Sequence, residues 1–357
     1  MRVLTVVFAV MLCGAARAQD RATLQVDAVE LVEGKEVAGK AELSVERDGL
    51  TYWFSSEYNK AAFNTEPDKY EIRWAGACAR MGPLSGKGSA QLFAVHEGHI
   101  YLFASSACRK AFLAGPEKFL ERDEGPPAAT PESAAEGLKL LDKAAAAMSG
   151  TLKFDDLKSV RLVQEGTAKD RDEVVKTSHT VSFQFPDRAR RLTTWHTYYW
   201  GEVLAPDEAY FVSAMSPTTM VESQKRILER EVSHNPVMVI RGRRLPGTVV
   251  AHLPREELDG RPVEVVAVHR VGGTTKALID PESGQIVALR YRARGPNLTL
   301  GSIEMRLSNY KDVGGVTLPM TQHVSFEGKP SDEQSFTYAS IRVDCVETKE
   351  FEKPGRP

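Results

Sequence analysis

Apolar and polar residues alternate along most of this chain, and over its first third the alternation is written twice. Gly49-Leu50-Thr51-Tyr52-Trp53-Phe54-Ser55-Ser56 returns as Gly98-His99-Ile100-Tyr101-Leu102-Phe103-Ala104-Ser105, about 49 residues later. A repeat at that period marks a structural unit used twice. The correspondence continues through Lys60 and Arg109, Phe63 and Phe112, Pro67 and Pro116, and Tyr70 and Phe119. Each copy predicts strand, turn, strand and short helix. In the first, Ala41 to Val45 and Leu50 to Phe54 flank Asp48-Gly49, a strong hairpin signal, and Ser56 caps a helix that stops before Pro67. In the second, Gln91 to Val95 and His99 to Phe103 flank Glu97-Gly98, and Ser105 caps a helix through Phe112.

Residues 122–136 hold three prolines and no large apolar side chain. Such a composition favours extended chain over a core and predicts a linker between two domains, 19–121 and 137–357. Past it, Leu138, Leu141, Ala145 and Met148 share one face of a helix ended by Gly150. The remainder is mostly alternating strand: Val181, Phe183 and Phe185 share a face, as do Val287, Leu289 and Tyr291, and Ile341, Val343 and Cys345. One helical stretch, about residues 218–231, interrupts the series. Many antiparallel strands, few helices and no βαβ rhythm predict an α+β fold with a large curved sheet and helices on one face.

Composition changes this picture little, except at the start of the chain. Arg2, an apolar run from Val3 to Leu12 and the small-x-small triplet Ala16-Arg17-Ala18 predict an export signal over residues 1–18. The run is too short for a stable membrane anchor, and no later segment is apolar enough to cross. An exported, periplasmic protein is expected. Cys13 hints at a lipoprotein, but Leu12 is too bulky for the usual small residue before such a cysteine. The formal charge is −2, becoming −4 without the two leader arginines, and nothing in that balance points to nucleic acid. Cys78, Cys108 and Cys345 remain in the mature chain, an odd number that allows at most one internal disulfide.

The duplicated region resembles the YHS family, related to the metal-associated TRASH domains. The residues that carry the likeness are Tyr52-x-Phe54-x-Ser56 with Phe63, Pro67, Lys69 and Tyr70, and Tyr101-x-Phe103-x-Ser105 with Cys108, Phe112, Pro116, Lys118 and Phe119. Metal-binding members place Cys directly after that Phe and again four positions on. Here those places hold Ser55 and Asn59 in the first copy, and Ala104 and Cys108 in the second. The post-linker region resembles periplasmic lipoprotein carriers of the LolA/LolB type. It does so through Phe183-Gln184-Phe185-Pro186-Asp187-Arg188-Ala189-Arg190, Asn235-Pro236-Val237-Met238-Val239-Ile240 and the passage Tyr310 to Pro319.

That resemblance implies a large antiparallel half-barrel sheet lidded by helices, behind a small duplicated β-hairpin–helix domain. It also implies a hydrophobic, acyl or lipidated ligand in an apolar cavity, favoured by about 25 cal/mol per Å² buried. Val181, Phe183, Phe185, Leu289 and Tyr291 are the candidate walls. Arg190, flanked by Arg188 and Arg191, matches the place of a cavity arginine that bonds to the lid. The plainer alternative is that these apolar residues simply pack under the helices.

Candidate chemistry clusters in the second copy, where His96, His99 and Cys108 replace Arg47, Leu50 and Asn59, with Cys78 just upstream. Two thiols and two imidazoles suit zinc or copper, although no Cys-x-x-Cys pair is present. A Cys78–Cys108 disulfide, favoured by export, is the preferred alternative, and free buried thiols are the third. Catalytic signatures are missing: His96-Glu97-Gly98-His99 is one residue short of a zinc-protease motif, and no Gly-x-Ser-x-Gly elbow occurs. The expected protein is non-enzymatic, with metal handling or a structural envelope role as alternatives to ligand carriage.

Overall fold

The structure is a computed structural model that describes residues 22–170, 173–196, 198–214, 217–332 and 334–353. The expected export segment lies outside these. Near the start come β1 (Thr23–Leu24), α1 (Ala28–Val32), β2 (Lys40–Arg47), β3 (Leu50–Phe54), α2 (Glu57–Thr65) and α3 (Pro67–Tyr70). The second copy supplies β4 (Ser89–His96), β5 (His99–Phe103) and α4 (Ser106–Leu113). Both hairpins turn through residues with positive φ, Asp48-Gly49 and Glu97-Gly98. Both carry an irregularity at the same place, between Lys40 and Ser44 in one and between Ser89 and Phe93 in the other. Ser56 and Ser105 cap their helices by accepting from Asn59 N and Cys108 N. Each helix then buries one phenylalanine against its hairpin: Phe63 on Tyr52 and Phe54, and Phe112 on Tyr101 and Phe103.

The expected linker is partly helical and firmly docked. Thr130 accepts from Ser133 N and Pro131 takes the first turn, so helix α5 runs from Pro131 to Ala147. Upstream, Glu124 N donates to Gly272 O, and Asp123 pairs with Arg226 and Arg230.

Where one large sheet is expected, the second half forms two, both antiparallel and neither closed into a barrel. The first runs in the order β11-β10-β9-β8-β7-β6-β20. Its strands are β6 (Ser159–Asp170), β7 (Glu173–Gln184), β8 (Arg188–Trp195), β9 (Tyr198–Leu204), β10 (Ala209–Ser213), β11 (Thr218–Thr219) and β20 (Ser340–Val343). The second runs β12 (Val249–Leu258), β13 (Arg261–Arg270), β14 (Gly273–Ile279), β15 (Ile286–Arg294), β16 (Leu300–Val313), β17 (Val316–Phe326) and β18 (Lys329–Pro330), with β19 (Phe336–Thr337) also on β17. Helices α5, α6 (Glu222–Ser233) and α7 (Pro236–Arg241) cover one face of both sheets and share a single apolar core with them. Cys345 is not part of that core. The strand ends at Val343, Asp344 has φ 48°, and Cys345 lies beyond it against Val203 and Tyr210 on the other side.

Candidate functional site

The helix-facing side of the sheets is filled with the protein's own side chains. Phe183 and Leu289 are fully buried, and Val181, Phe185 and Tyr291 pack against the same core. Phe185 stacks on Phe183 at 6.5 Å and lies under the Arg241 guanidinium. Five of the expected cavity residues therefore belong to, or pack against, the apolar core that the sheets share with the helices.

The sixth, Arg190, faces away. Register settles this: Arg190 sits opposite Ser182, whereas Arg191 sits opposite Val181 and Ala189 opposite Phe183. Arg190 approaches Glu350 at 3.7 Å on the outer face, beside the Arg161–Glu350 pair. The arginine that meets the lid is the next residue. Arg191 donates through Nη1 to Glu231 of α6 at 2.5 Å and through Nε to Glu202 of β9 at 3.3 Å. Burial alone would lower the Arg191 pKa, but the two carboxylates reverse this and hold it above its ordinary value. Burial raises Glu202, with Arg191 pulling the other way, and burial followed by the Arg191 charge lowers His179 to about 4. Arg191 keeps 21 % of its side chain open and Glu202 17 %, so the cluster is crowded without being sealed.

Helix α6 is held from three sides. Its C-cap, His234, stacks on Tyr291 of β15 at 4.3 Å and shares a hydrogen bond with Thr275 Oγ1 at 2.7 Å. Gln224 donates to the carbonyls of Trp74 and Pro83, and Arg230 donates to Val271 O. From β15, Arg294 donates to Phe119 O and pairs with Glu121 at 3.4 Å. The lid thus bears on both sheets and on the duplicated region together. Sequence periodicity carries no sign of this, because every partner lies far away along the chain.

Two cavities accompany these elements, the larger lined mostly by apolar surface between charged side chains and the smaller mostly polar. One, about 750 Å³, runs over the face of the second sheet that carries Lys276, Arg290, Arg292, Glu304 and Arg306. The other, about 200 Å³, is lined by Arg73, Trp74, Glu97, Tyr101, Leu120, Glu121 and Arg122.

The expected metal ligands do not converge. His96 meets Phe112 edge-on, and His99 Nε2 is taken by the Arg73 guanidinium at 2.8 Å. Among the described residues no three His, Cys, Asp or Glu side chains form a group able to hold a metal ion. The expected disulfide is not formed either. Cys78 and Cys108 are free and buried, and Cys78 Sγ accepts from Ala104 N at 3.3 Å. The residue that sequence reading missed is Asp27. Buried at the N-cap of α1, it gathers Ser55 and Asn59 of the first copy into one hydrogen-bonded set. The only sequence signal for it is an Asp directly before a short apolar-periodic stretch.

No curated protein matches the chain. Among solved structures, similarity is found to a candidate outer membrane lipoprotein-sorting protein domain from Vibrio parahaemolyticus, with 13 % identity and a TM-score of 0.38, covering 62 % of this chain and 97 % of that one. A DUF1329 family protein from Desulfovibrio piger ATCC 29098 shows 11 % identity and a TM-score of 0.41, again over 62 % and 97 %. A LolA superfamily protein from Nitrosomonas europaea shows 11 % identity and a TM-score of 0.32, over 62 % and 98 %. Among the described residues no helix is long and apolar enough to cross a membrane. Residues 28–74, from α1 through the first hairpin to Trp74, match the YHS domain family.

Proposed function

We propose that this is an exported, non-enzymatic binding protein, seen with its lid shut, that admits a hydrophobic or lipidated ligand between sheet and helices when α6 moves. The observation that carries the reading is the Arg191–Glu202–Glu231 cluster at the lid. Ionic groups placed under a helix stabilise less than well-packed apolar residues would, and separating one partner leaves the others poorly compensated. Such a cluster is a poor way to hold a permanent core and a workable latch for a part that opens. Wide apolar surfaces on the sheets and helices supply the driving force for an acyl guest once the latch parts. The duplicated region serves as an accessory module that bears on the lid through the Trp74 and Pro83 carbonyls, which accept from Gln224.

Uptake of a fluorescent fatty acid by the full mature chain and by Arg191→Met tests this. The expected outcome is saturable, stoichiometric uptake by the wild type and at least about 5-fold faster uptake by the variant, roughly the effect of losing 1 kcal/mol of latch. Absence of acyl uptake by both proteins refutes carriage.

A further inference from the structure

The smaller cavity, beside the second copy, is lined by Arg73, a cation that no carboxylate reaches within salt-bridge distance among the described residues. Arg122 is matched by Glu97 at 2.5 Å. Arg73 has a single hydrogen-bond partner among the described residues, His99 Nε2. A guanidinium only donates, so that nitrogen accepts and the ring is neutral; burial, then the Arg73 charge, lowers the His99 pKa further from protonation. Arg73 therefore lines the cavity as a cation with no carboxylate paired to it among the described residues.

The other walls are donors and apolar surface. The Tyr101 hydroxyl and the Trp74 indole N–H have no hydrogen-bond partner among the described residues, yet neither is a sealed orphan. The two rings meet edge-on at 5.5 Å, with Leu120 completing an apolar side. Glu121 already has its own cation, Arg294 at 3.4 Å, and burial, then the Glu231 charge, raises its pKa to about 7 against the opposing pull of Arg294 and Arg230. Trp74 is delivered by a strained backbone, with φ, ψ of 57°, 37° there and 49°, 34° at Ala75. Left-handed non-glycine residues cost about 1–3 kcal/mol each and persist where the surroundings enforce them. Gln224 supplies that enforcement by bonding the Trp74 carbonyl from α6.

From this geometry we propose that the cavity binds a small carboxylate, its charge on Arg73 and its apolar body against Trp74, Tyr101 and Leu120. A planar guanidinium fork matches a carboxylate two-point contact. A volume of about 200 Å³ suits a molecule of benzoate size at roughly 30 Å³ per water displaced. The proposal is independent of acyl carriage between sheet and helices.

The test is a titration of the full mature chain with benzoate, followed by Trp fluorescence and calorimetry, alongside neutral benzamide and inorganic phosphate. Expected are saturable benzoate binding, benzamide at least about 10-fold weaker, about 1.4 kcal/mol of charge recognition, and phosphate weaker than benzoate. Arg73→Gln loses at least about 10-fold in benzoate affinity, and Tyr101→Phe loses less, both with melting temperatures close to wild type. Equal binding of benzamide, phosphate binding above benzoate, no benzoate binding at all, or an unaffected Arg73→Gln overturns the proposal. If Arg73→Gln fails to fold, the Tyr101→Phe loss and the benzamide ratio decide.

Discussion

The two copies at the N-terminal end share a backbone and differ in what they bury at one equivalent spot. In the first, the Asp27 carboxylate receives Ser55 N, Ser55 Oγ and Asn59 Nδ2 on one oxygen and Val29 N and Glu30 N on the other. In the second, Cys78 Sγ receives Ala104 N with weaker backbone help from Met81 and Arg80, and Cys108 stands where Asn59 does. One frame therefore tolerates an ionised, fully satisfied network or a pair of thiols. The lesson is that the hairpin, the Ser cap and the buried phenylalanine define the unit, while the chemistry at its centre is exchangeable. The copies should then respond very differently to changes at that centre and alike to changes in the frame.

The largest expected difference follows from truncating each centre. Asp27→Ala removes the acceptor of five donors, of which only Asn59 Nδ2 keeps another side-chain partner, Glu30, and should cost about 3–5 kcal/mol in chemical denaturation. Cys78→Ala removes one small buried group and should cost about 1–2 kcal/mol. Comparable losses would show that the polar network contributes no more than the thiol.

Acid and base separate the regions in opposite senses. Burial would raise the Asp27 pKa, but hydrogen bonds from Ser55, Asn59 and Glu30 hold it below the usual carboxylate range. A depressed folded pKa contributes stability above about pH 4 that is lost as pH falls further. Glu121, following the second copy, is raised by burial and by Glu231 to about 7. Its protonated form is favoured in the folded state, so its contribution is fullest below about pH 4.5 and fades as pH rises to 7. The change is at most about 3 kcal/mol. Glu121→Gln should flatten the upper limb of the stability–pH curve and leave the acid limb, where Asp27 acts, in place. An unchanged upper limb would remove Glu121 as its source.

The frame predicts equality. A Cβ on Gly39 would lie 2.5 Å from the Trp53 carbonyl carbon, and one on Gly88 2.7 Å from Phe103 N. Alanine at either position should cost about 1–3 kcal/mol, with the two values close. A marked inequality would break the claim of a shared frame.

How much of this was legible along the chain depends on reach. The Asp48-Gly49 and Glu97-Gly98 turns, both Ser caps and the buried phenylalanines are local devices, and each reads correctly. Arg190 against Arg191 is a question of register, where one residue moves a side chain to the opposite face. Asp27 needs partners 28 and 32 residues away, and the docking of α6 needs Gln224 to find Trp74 across 150. Such distances have no period to detect. The split into two sheets escaped for the same reason, since alternation marks strands and not their neighbours.

The smallest expected effect is chemical. Cys78 is fully buried, and burial, only partly offset by the Ala104 N–H, pushes its thiol above the ordinary cysteine value. The thiolate is the reacting species, so Cys78 should be close to inert toward a disulfide reagent in the native protein. Cys108 is nearly as enclosed, whereas Cys345 is partly open. In protein lacking residues 1–18, one thiol, Cys345, should react at once and the other two only on unfolding, three in all. A total of one under denaturing conditions would mean that Cys78 and Cys108 are joined. The second copy would then be held by a covalent tie where the first relies on hydrogen bonds to Asp27, and the shared frame would no longer account for both.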